Sequence, residues 1–366
     1  MRKIVLLFVL MGIGGGIWYF EAQKVKTGPG EEAVHIQKMN KEEKTRMYDS
    51  AVELVGTQRF INSELFELAD YIGKKVILID FWTYSCINCQ RTTPYLNAWW
   101  EKYKDKGLLI VGVHTPEFDF EKNYDNVLAA TQKFGIKYPV VQDNNFAIWQ
   151  AYGNRYWPRK YLIDIDGFIV YDHIGEGAYE ATEMKIQELL NERMAVLGEE
   201  GEIAETITEE ADPPSSELRR VNSPETYFGS ARNQNFGSGT PGQAGTFTFS
   251  SPAFVNKNIL YLIGQWQFTD EYARNLSAGA KIIFKYVAKD VYFVASSNTG
   301  VKIKVLQDGK PLYETAGEDI SKDASSQGFI KESRLYKLIK NSMAEEHILE
   351  IIIESPGLNA FTFTFG

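Results

Sequence analysis

The sequence VILIDFWTYSCINC occupies residues 76–89 and contains both cysteines of the 366-residue chain. Its first part, Val76 to Phe81, is an apolar run typical of a buried strand, and a helix is predicted to start near Cys86. The first sulfur would then lie at a helix N-terminus, where free N–H groups and the helix dipole favour a thiolate. A thiolate at Cys86 can attack a disulfide, and Cys89, one helical turn later, can resolve the mixed disulfide.

Asp80 lies six residues before Cys86, at the end of the apolar run. A lone carboxylate there would be desolvated, which raises its pKa. Such a group can take the proton of a buried Cys89 and return it. The alternative is an exposed acid at a strand end.

Composition excludes several classes of protein. With 44% hydrophobic and 24% charged residues, the chain is too apolar to be disordered. A net charge of -9, without clustered Lys and Arg, argues against nucleic-acid binding. Two cysteines and no suitably spaced histidine pair exclude a disulfide scaffold and predict no zinc site. The redox-active group predicted is the Cys86–Cys89 pair itself, without another cofactor.

The N-terminus carries a targeting signal. Arg2 and Lys3 precede an uncharged run over residues 4–20, and no small-residue cleavage site follows. We interpret residues 1–22 as a membrane anchor with the remaining chain outside the cytoplasm, the alternative being a cleaved signal peptide. Residues 23–50 are interpreted as a spacer.

Residues 51–198 alternate between strand and helix patterns, which predicts βαβ units around a central sheet. The predicted strands are Val76–Phe81, Leu108–Val113 and Tyr161–Ile165, and the predicted helices are Cys89–Tyr103, Asn123–Phe134 and Glu180–Val196. Eight acids and no Lys or Arg follow between 199 and 217, so residues 199–220 are interpreted as a linker.

Residues 221–366 consist of short runs rich in β-branched and aromatic residues, several of them strictly alternating. Asp308 and Gly309 predict a hairpin turn between two runs. This half is predicted to be an antiparallel β-sandwich. The predicted strands are Thr246–Ser250, Ile259–Ile263, Lys281–Tyr286, Asp290–Ala295, Val301–Leu306, His347–Glu354 and Ala360–Phe365.

The run 77–82, the C-x-x-C pair, Pro94 and the later Trp157–Pro158 together resemble the thioredoxin family over residues 70–190. The resemblance implies an α/β thioredoxin-like fold, with Cys86 as nucleophile and Cys89 as resolving cysteine. It also implies that Asp80 handles the proton. Pro158 would be a cis-proline facing the disulfide, and Trp157 would help to dock the substrate backbone.

Longer stretches are similar to a narrower group, the exported C-terminal half of DipZ-type thiol-disulfide interchange proteins. They lie at 83–90, 112–118, 143–145, 154–158, 224–229 and 361–366. The resemblance implies a second domain like a jelly-roll carbohydrate-binding module. It also implies exported protein thiols and disulfides as substrates, and electrons from a separate membrane protein of the CcdA or DipZ type.

Other assignments stay open at this stage. His114 and Glu117 follow a predicted strand at the edge where Cys86 emerges, so they would tune the thiolate, contact a partner or lie in a solvated loop. A peroxiredoxin is a rival, because Thr83 precedes Cys86 by three residues. An envelope glycan-binding protein is another, since aromatic residues of the C-terminal half would stack on cell-surface sugars. These are Tyr227, Phe228, Trp266, Phe268, Tyr272 and Tyr292.

Overall fold

A computed structural model describes residues 39–56, 59–203, 206–208 and 223–366. The chain divides into two compact units, of which the first ends at Met47. The second unit contains what we call the α/β region (48–208) and the β region (223–366). The predicted anchor over residues 4–20 lies outside the described residues. Among the residues described, no helix is long and apolar enough to cross a bilayer.

Part of the predicted spacer is helical. Helix α1 (Lys41–Met47) follows Asn40, whose side chain accepts a hydrogen bond from the backbone N–H of Glu43 at 3.0 Å. The Glu43 carboxylate in turn accepts from the backbone of Asn40 at 2.9 Å. This reciprocal capping box marks the start of a helix. The sequence analysis missed it because the charged residues 41–44 favoured a spacer.

The α/β region contains one mixed sheet with the strand order β1-β4-β3-β2-β5-β6, in which β2, β3 and β4 are parallel. The predicted βαβ order is confirmed. Its strands are β1 (Phe60–Ile61), β2 (Val76–Trp82), β3 (Leu108–His114), β4 (Val140–Gln142), β5 (Arg159–Ile163) and β6 (Ile169–Ile174). Its helices are α2 (Ile87–Tyr103), α3 (Tyr124–Lys133), α4 (Ala147–Ala151) and α5 (Tyr179–Leu197), with short 3-10 turns at Leu68–Asp70, Lys104–Lys106 and Asp119–Lys122.

Alternate residues of β2 enter two different cores. Leu78 packs with residues of α2, α3 and α5, whereas Ile79 packs with α4 and the segment before β2. Because side chains alternate along a strand, Asp80 points to the same face as Leu78, toward α2. Strand β5 ends two residues earlier than predicted, since the Asp164 carboxylate accepts a hydrogen bond from the Phe168 backbone at 2.9 Å and closes a turn.

The β region is antiparallel, as predicted, in every pairing between its named strands. The strands surround one apolar core. They are β7 (Thr226–Tyr227), β8 (Gly245–Phe249), β9 (Leu260–Phe268), β10 (Ala273–Asn275), β11 (Ala280–Ser297), β12 (Val301–Gln307), β13 (Lys310–Pro311), β14 (Gln327–Ile330), β15 (Arg334–Ile353) and β16 (Leu358–Phe365), with a 3-10 turn at Tyr313–Thr315.

Two predicted strands are in fact one. The runs 281–286 and 290–295 belong to the 18-residue β11, which continues through a register shift between Ala288 and Asp290. A bulge of this kind bends a strand without ending it, so the break in alternation does not separate two strands. The hairpin at Asp308 and Gly309 is confirmed, with positive φ angles of 52° and 74° between β12 and β13.

Candidate active site

Cys86 is the N-cap residue of α2, as the sequence predicts. Its Sγ accepts a hydrogen bond from the backbone N–H of Cys89 at 3.2 Å. Cys86 is partly exposed, whereas Cys89 is buried and 2% exposed, and both are free thiols. Cys86 is therefore the sulfur that an incoming disulfide can reach, and Cys89 lies one turn behind it.

Asp80 is buried within β2, so the alternative of an exposed strand-end acid is wrong. Its Oδ1 accepts no hydrogen bond from the described part of the chain. Burial raises the pKa of Asp80 to about 7, and the positive charge of Lys160 partly opposes that rise. Burial also raises the pKa of Cys89 well above its ordinary value, as do the hydrogen bond to Cys86 and the charges of Cys86 and Asp80. Near neutral pH this carboxyl group can therefore accept or donate a proton.

Lys160 is a buried residue that the sequence analysis missed. In the register of the antiparallel strands β2 and β5 it lies directly opposite Asp80, and it is 0% exposed. The predicted strand began at Tyr161, one residue after Lys160. Strand β5 begins at Arg159, so Lys160 lies on the same inward face as Leu162. A buried charge is costly, which marks this position as unusual.

The loop before β5 lies beside Cys86. The peptide bond between Trp157 and Pro158 is cis, as the resemblance implies. The side-chain oxygen of Asn154 accepts a hydrogen bond from the backbone of Arg155 at 2.9 Å, which holds the start of the loop. The Trp157 ring packs on Trp149 with centroids 4.3 Å apart. These contacts fix the loop on the scaffold.

A cleft of about 280 Å³ opens at Cys86, and the β region forms its opposite wall. The α/β region contributes the active-site turn and the loop before β5, and the β region contributes β7, the Arg232 turn, β11 and β16. No sequence pattern pointed to this second wall. The lining residues are Ser85, Cys86, Ile87, Asn88, Glu117, Arg155, Tyr156, Trp157, Glu225, Tyr227, Arg232, Val294, Thr362 and Thr364.

Glu117 joins the two walls. Its Oε1 accepts hydrogen bonds from the Tyr227 hydroxyl at 2.9 Å and from Arg232 at 2.8 Å. The Arg232 guanidinium also lies 3.4 Å from the centroid of the Tyr227 ring. The prediction that Glu117 lies at the edge of Cys86 is consistent with this position, and the partner it contacts is the β region of the same chain.

Glu121, which the sequence analysis did not select, stabilises the active-site turn through hydrogen bonds. It is buried, and its carboxylate accepts hydrogen bonds from the Ser85 hydroxyl at 2.6 Å and from the Glu117 backbone at 2.6 Å. It also accepts from the backbone N–H groups of Ser85 and Phe118. Because Ser85 directly precedes Cys86, this carboxylate positions the turn that carries the exposed sulfur.

His114 is not in a solvated loop. It is the last residue of β3 and is fully buried, so it does not contact an external partner. Burial lowers its pKa to about 3, which leaves the ring neutral, and its ring packs against Trp82 and Tyr84. Its Nε2 lies 3.5 Å from the Thr83 hydroxyl.

The aromatic residues expected to stack on sugars do not form an exposed platform. Phe228, Trp266, Phe268 and Tyr292 are buried. Tyr227 and Tyr272 are partly buried and pack around Phe361 between the two regions. These aromatic side chains therefore serve as core and contact residues.

Three acids of the α/β region, Asp164, Asp166 and Glu192, bring carboxylate oxygens within 4.8 Å of one another. The group contains neither cysteine, so it is not part of the candidate redox site.

Comparison with known proteins separates the same two regions. A family model described as Redoxin matches residues 61–190, and one described as Thioredoxin like C-terminal domain matches residues 223–366. Protein DipZ of Mycobacterium bovis is 39% identical over 292 residues, which are 80% of this chain and 39% of that protein. The chain thus spans well under half the length of this relative.

Thiol-disulfide oxidoreductase ResA of Bacillus anthracis is 32% identical over 184 residues, which are 50% of this chain and 91% of ResA. Among solved structures, a thioredoxin-like protein in the oxidized form is 28% identical with a TM-score of 0.37, covering 40% of this chain and 97% of that one.

Proposed function

The chain belongs to the thioredoxin-like family of thiol-disulfide oxidoreductases, and we propose that Cys86 and Cys89 reduce disulfides of exported proteins. One observation carries the proposal: the partly exposed Cys86 caps α2 at the floor of a cleft, with buried Cys89 and Asp80 behind it. The exchange needs no cofactor beyond the Cys86–Cys89 disulfide.

The proposed reaction has two sulfur transfers. The Cys86 thiolate attacks the substrate disulfide, one substrate sulfur leaves as a thiolate, and the other becomes bonded to Cys86. Cys89 then gives its proton to the Asp80 carboxylate and attacks Sγ of Cys86. The Cys86–Cys89 disulfide forms, the second substrate thiolate leaves, and two electrons have passed to the substrate.

We assign substrate docking to Trp157 and Pro158, whose loop borders the cleft. An extended substrate segment would lie between this loop and the β-region wall, which carries Tyr227 and Arg232. For the β region we propose the jelly-roll type of sandwich, supported by strands of 18 and 20 residues that each pair with several partners around one core.

We further propose that the chain works outside the cytoplasm and is held at the membrane by residues 4–20. The support is the basic pair Arg2 and Lys3 followed by the uncharged run. Regeneration of the thiols there requires a reductant, for which we propose a separate membrane electron-transfer protein of the CcdA or DipZ type. Labelling of Cys86 in intact cells by a membrane-impermeant maleimide tests this location, and no labelling would contradict it.

Trapping tests the exchange reaction. In Cys89→Ser the resolving sulfur is absent, so mixed disulfides between Cys86 and its substrates should accumulate on non-reducing gels. Cys86→Ser is the matched control and should trap little. If neither variant captures a partner, the proposed function is wrong.

A further inference from the structure

Lys160 is a buried lysine that the reaction above does not use. Its Nζ donates a hydrogen bond to the Gly175 carbonyl at 3.3 Å and lies 5.9 Å from the centroid of the Tyr179 ring. No carboxylate oxygen in the described part of the chain lies within 4.0 Å of it. Burial of an ammonium group with one carbonyl and one ring as its contacts in the described chain has a large desolvation cost. Such a cost points to a function for the buried charge.

The strand register places Lys160 next to the proton-transfer pair Asp80 and Cys89. Asp80 and Lys160 are directly opposed on β2 and β5, so their Cβ atoms lie about 5 Å apart on one face of the sheet. That face packs against α2, which carries Cys89. The positive charge of Lys160 acts on both the Asp80 carboxyl and the Cys89 sulfur.

The other titratable groups around this pair do not replace Lys160. Tyr138 faces Asp80 and Cys89, and burial raises the pKa of its hydroxyl far above its ordinary value, so it stays neutral. His173 lies on β6 opposite Lys160 in the strand register. Burial lowers the pKa of His173, which favours its neutral form.

Glu176 also faces Lys160, but its carboxylate already forms an ion pair with Arg91 at 3.2 Å. The negative charge available to Lys160 is therefore the one that belongs to Asp80 or to Cys89.

We propose that Lys160 is the fixed positive charge that compensates the single negative charge passed between the Asp80 carboxylate and the Cys89 thiolate. The inference rests on the proposed function. Before the transfer Asp80 is ionised and Cys89 is a thiol; afterwards Asp80 is protonated and Cys89 is a thiolate, while Lys160 keeps its protons throughout. Lys160 is thus a positioning residue, which acts through Asp80 and Cys89 and does not touch the substrate.

The test titrates Cys89 without any substrate. In the full chain carrying Cys86→Ser, Cys89 is the sole cysteine, so the chemical shift of a 13C label at the cysteine Cβ, followed against pH, reports its ionisation alone. Adding Lys160→Met removes the compensating charge, and the Cys89 titration should move upward by about one pH unit. Lys160→Arg, which keeps the charge, should restore most of the shift.

Lys102→Met is the matched control, because Lys102 pairs with the buried Glu183 of the same region at 2.8 Å and lies in the last turn of α2, at the opposite end from Cys89. It should leave the Cys89 titration in place. A Cys89 titration unchanged by Lys160→Met in a protein with native circular dichroism would overturn the proposal. If Lys160→Met does not fold, Lys160→Gln, which retains a polar end for the Gly175 carbonyl, provides the same measurement.

The two proposals fail in different ways. Absence of trapped partners in Cys89→Ser would remove the proposed function, whereas the titration concerns only Lys160, Asp80 and Cys89. A shifted titration together with failed trapping would mean that the charge network exists without this substrate reaction.

Discussion

The α/β region buries charged side chains, whereas the polar side chains buried in the β region are all neutral. The first set, with exposures at or below 2%, comprises Asp80, Glu121, Asp143, Lys160, Asp164 and Glu183. In the β region the buried polar residues are Asn, Ser and Thr, for example Asn275, Asn359 and Thr362. Burial of a charge costs far more free energy than burial of an amide. The desolvation cost of the buried polar side chains is therefore higher in the α/β region than in the β region.

Asn275 and the Asp80–Lys160 pair illustrate the difference between a neutral and a charged buried group. The Asn275 amide donates to the carbonyls of Ser277 and Ser355 and accepts from the backbones of Gly357 and Leu358. Asp80 and Lys160, by contrast, form no ion pair within 4.0 Å in the described chain. The α/β region thus retains a poorly compensated pair of charges next to its reactive sulfurs, whereas the buried polar residues of the β region carry no charge.

The largest expected effect comes from removing the Asp80 charge. Its pKa is about 7 in the fold and ordinarily 3.8. The fold therefore favours the protonated form of Asp80. The contribution of this protonation to the free energy of unfolding is fully present below about pH 4 and is lost as the pH rises through about 7. A shift of this size corresponds to about 4 kcal/mol. Asp80→Asn should therefore raise the free energy of unfolding above pH 7 by a few kcal/mol, measured by urea denaturation at several pH values.

The matched change in the β region is Asn275→Asp. It places a carboxylate opposite two carbonyl oxygens, so the variant should lose about 3 kcal/mol or more of stability, increasingly as the pH rises. If Asp80→Asn destabilises the protein above pH 7 and Asn275→Asp does not, the comparison between the regions is wrong.

The next effect concerns Glu121. Glu121→Gln replaces one accepting oxygen with an amide nitrogen, so at least one donor of the active-site turn loses its partner, at a cost of about 2 kcal/mol. We also expect slower disulfide exchange, because Ser85 is one of those donors. Urea denaturation and stopped-flow exchange measure the two effects.

Glu271→Gln is the control for this change. Glu271 belongs to the β region and accepts from the backbone of Asp119 at 3.1 Å with both oxygens, in an exposed contact. Its replacement should cost less than about 1 kcal/mol. Equal costs for the two substitutions would contradict the role given to Glu121.

A smaller effect is expected at the cleft wall. Arg232 pairs with Glu117 at 2.8 Å and stacks on Tyr227, while Arg334 pairs with Asp319 at 2.7 Å and stacks on Tyr336 at 3.8 Å, away from the cleft lining. Arg232→Ala should raise KM for a disulfide peptide by about threefold at low salt with little change in unfolding free energy. Arg334→Ala should leave KM unchanged, and a shift in KM for both variants would argue against a specific wall.

The smallest effect is expected for a surface pair of the β region. Lys281 and Glu350 form a cross-strand ion pair at 2.7 Å. Lys281→Met should cost about 0.5 kcal/mol and leave exchange unaltered, because exposed ion pairs contribute little. A loss beyond about 1.5 kcal/mol in urea denaturation would mean that the β region depends on charges after all.

The sequence predicted the α/β region well because its signals are local. The apolar strand, the helix start at Cys86 and the inward position of Asp80 can all be read from neighbouring residues. Lys160 was missed because the predicted strand began at Tyr161, whereas β5 begins at Arg159 and includes Lys160 at an inward position. The role of His114 stayed open between thiolate tuning, a partner contact and a solvated loop, because the predicted strand ended at Val113. In the structure β3 includes His114, whose ring is buried.

The contribution of the β region to the cleft could not have been predicted. Glu117 meets Tyr227 and Arg232 across more than 100 residues of chain, and no periodicity encodes such a contact. The aromatic residues were equally ambiguous, because a buried Trp266 and an exposed binding tryptophan follow the same alternating pattern. Long-range packing decides these cases.

The central claim is that Asp80 exchanges protons with the Cys86–Cys89 pair, and its most direct test is the reduction potential of that pair as a function of pH. We expect the slope of the potential against pH to change near pH 7 in the natural chain, where Asp80 titrates, and this change to be absent in Asp80→Asn. Identical slopes for the two proteins across this range would contradict the account.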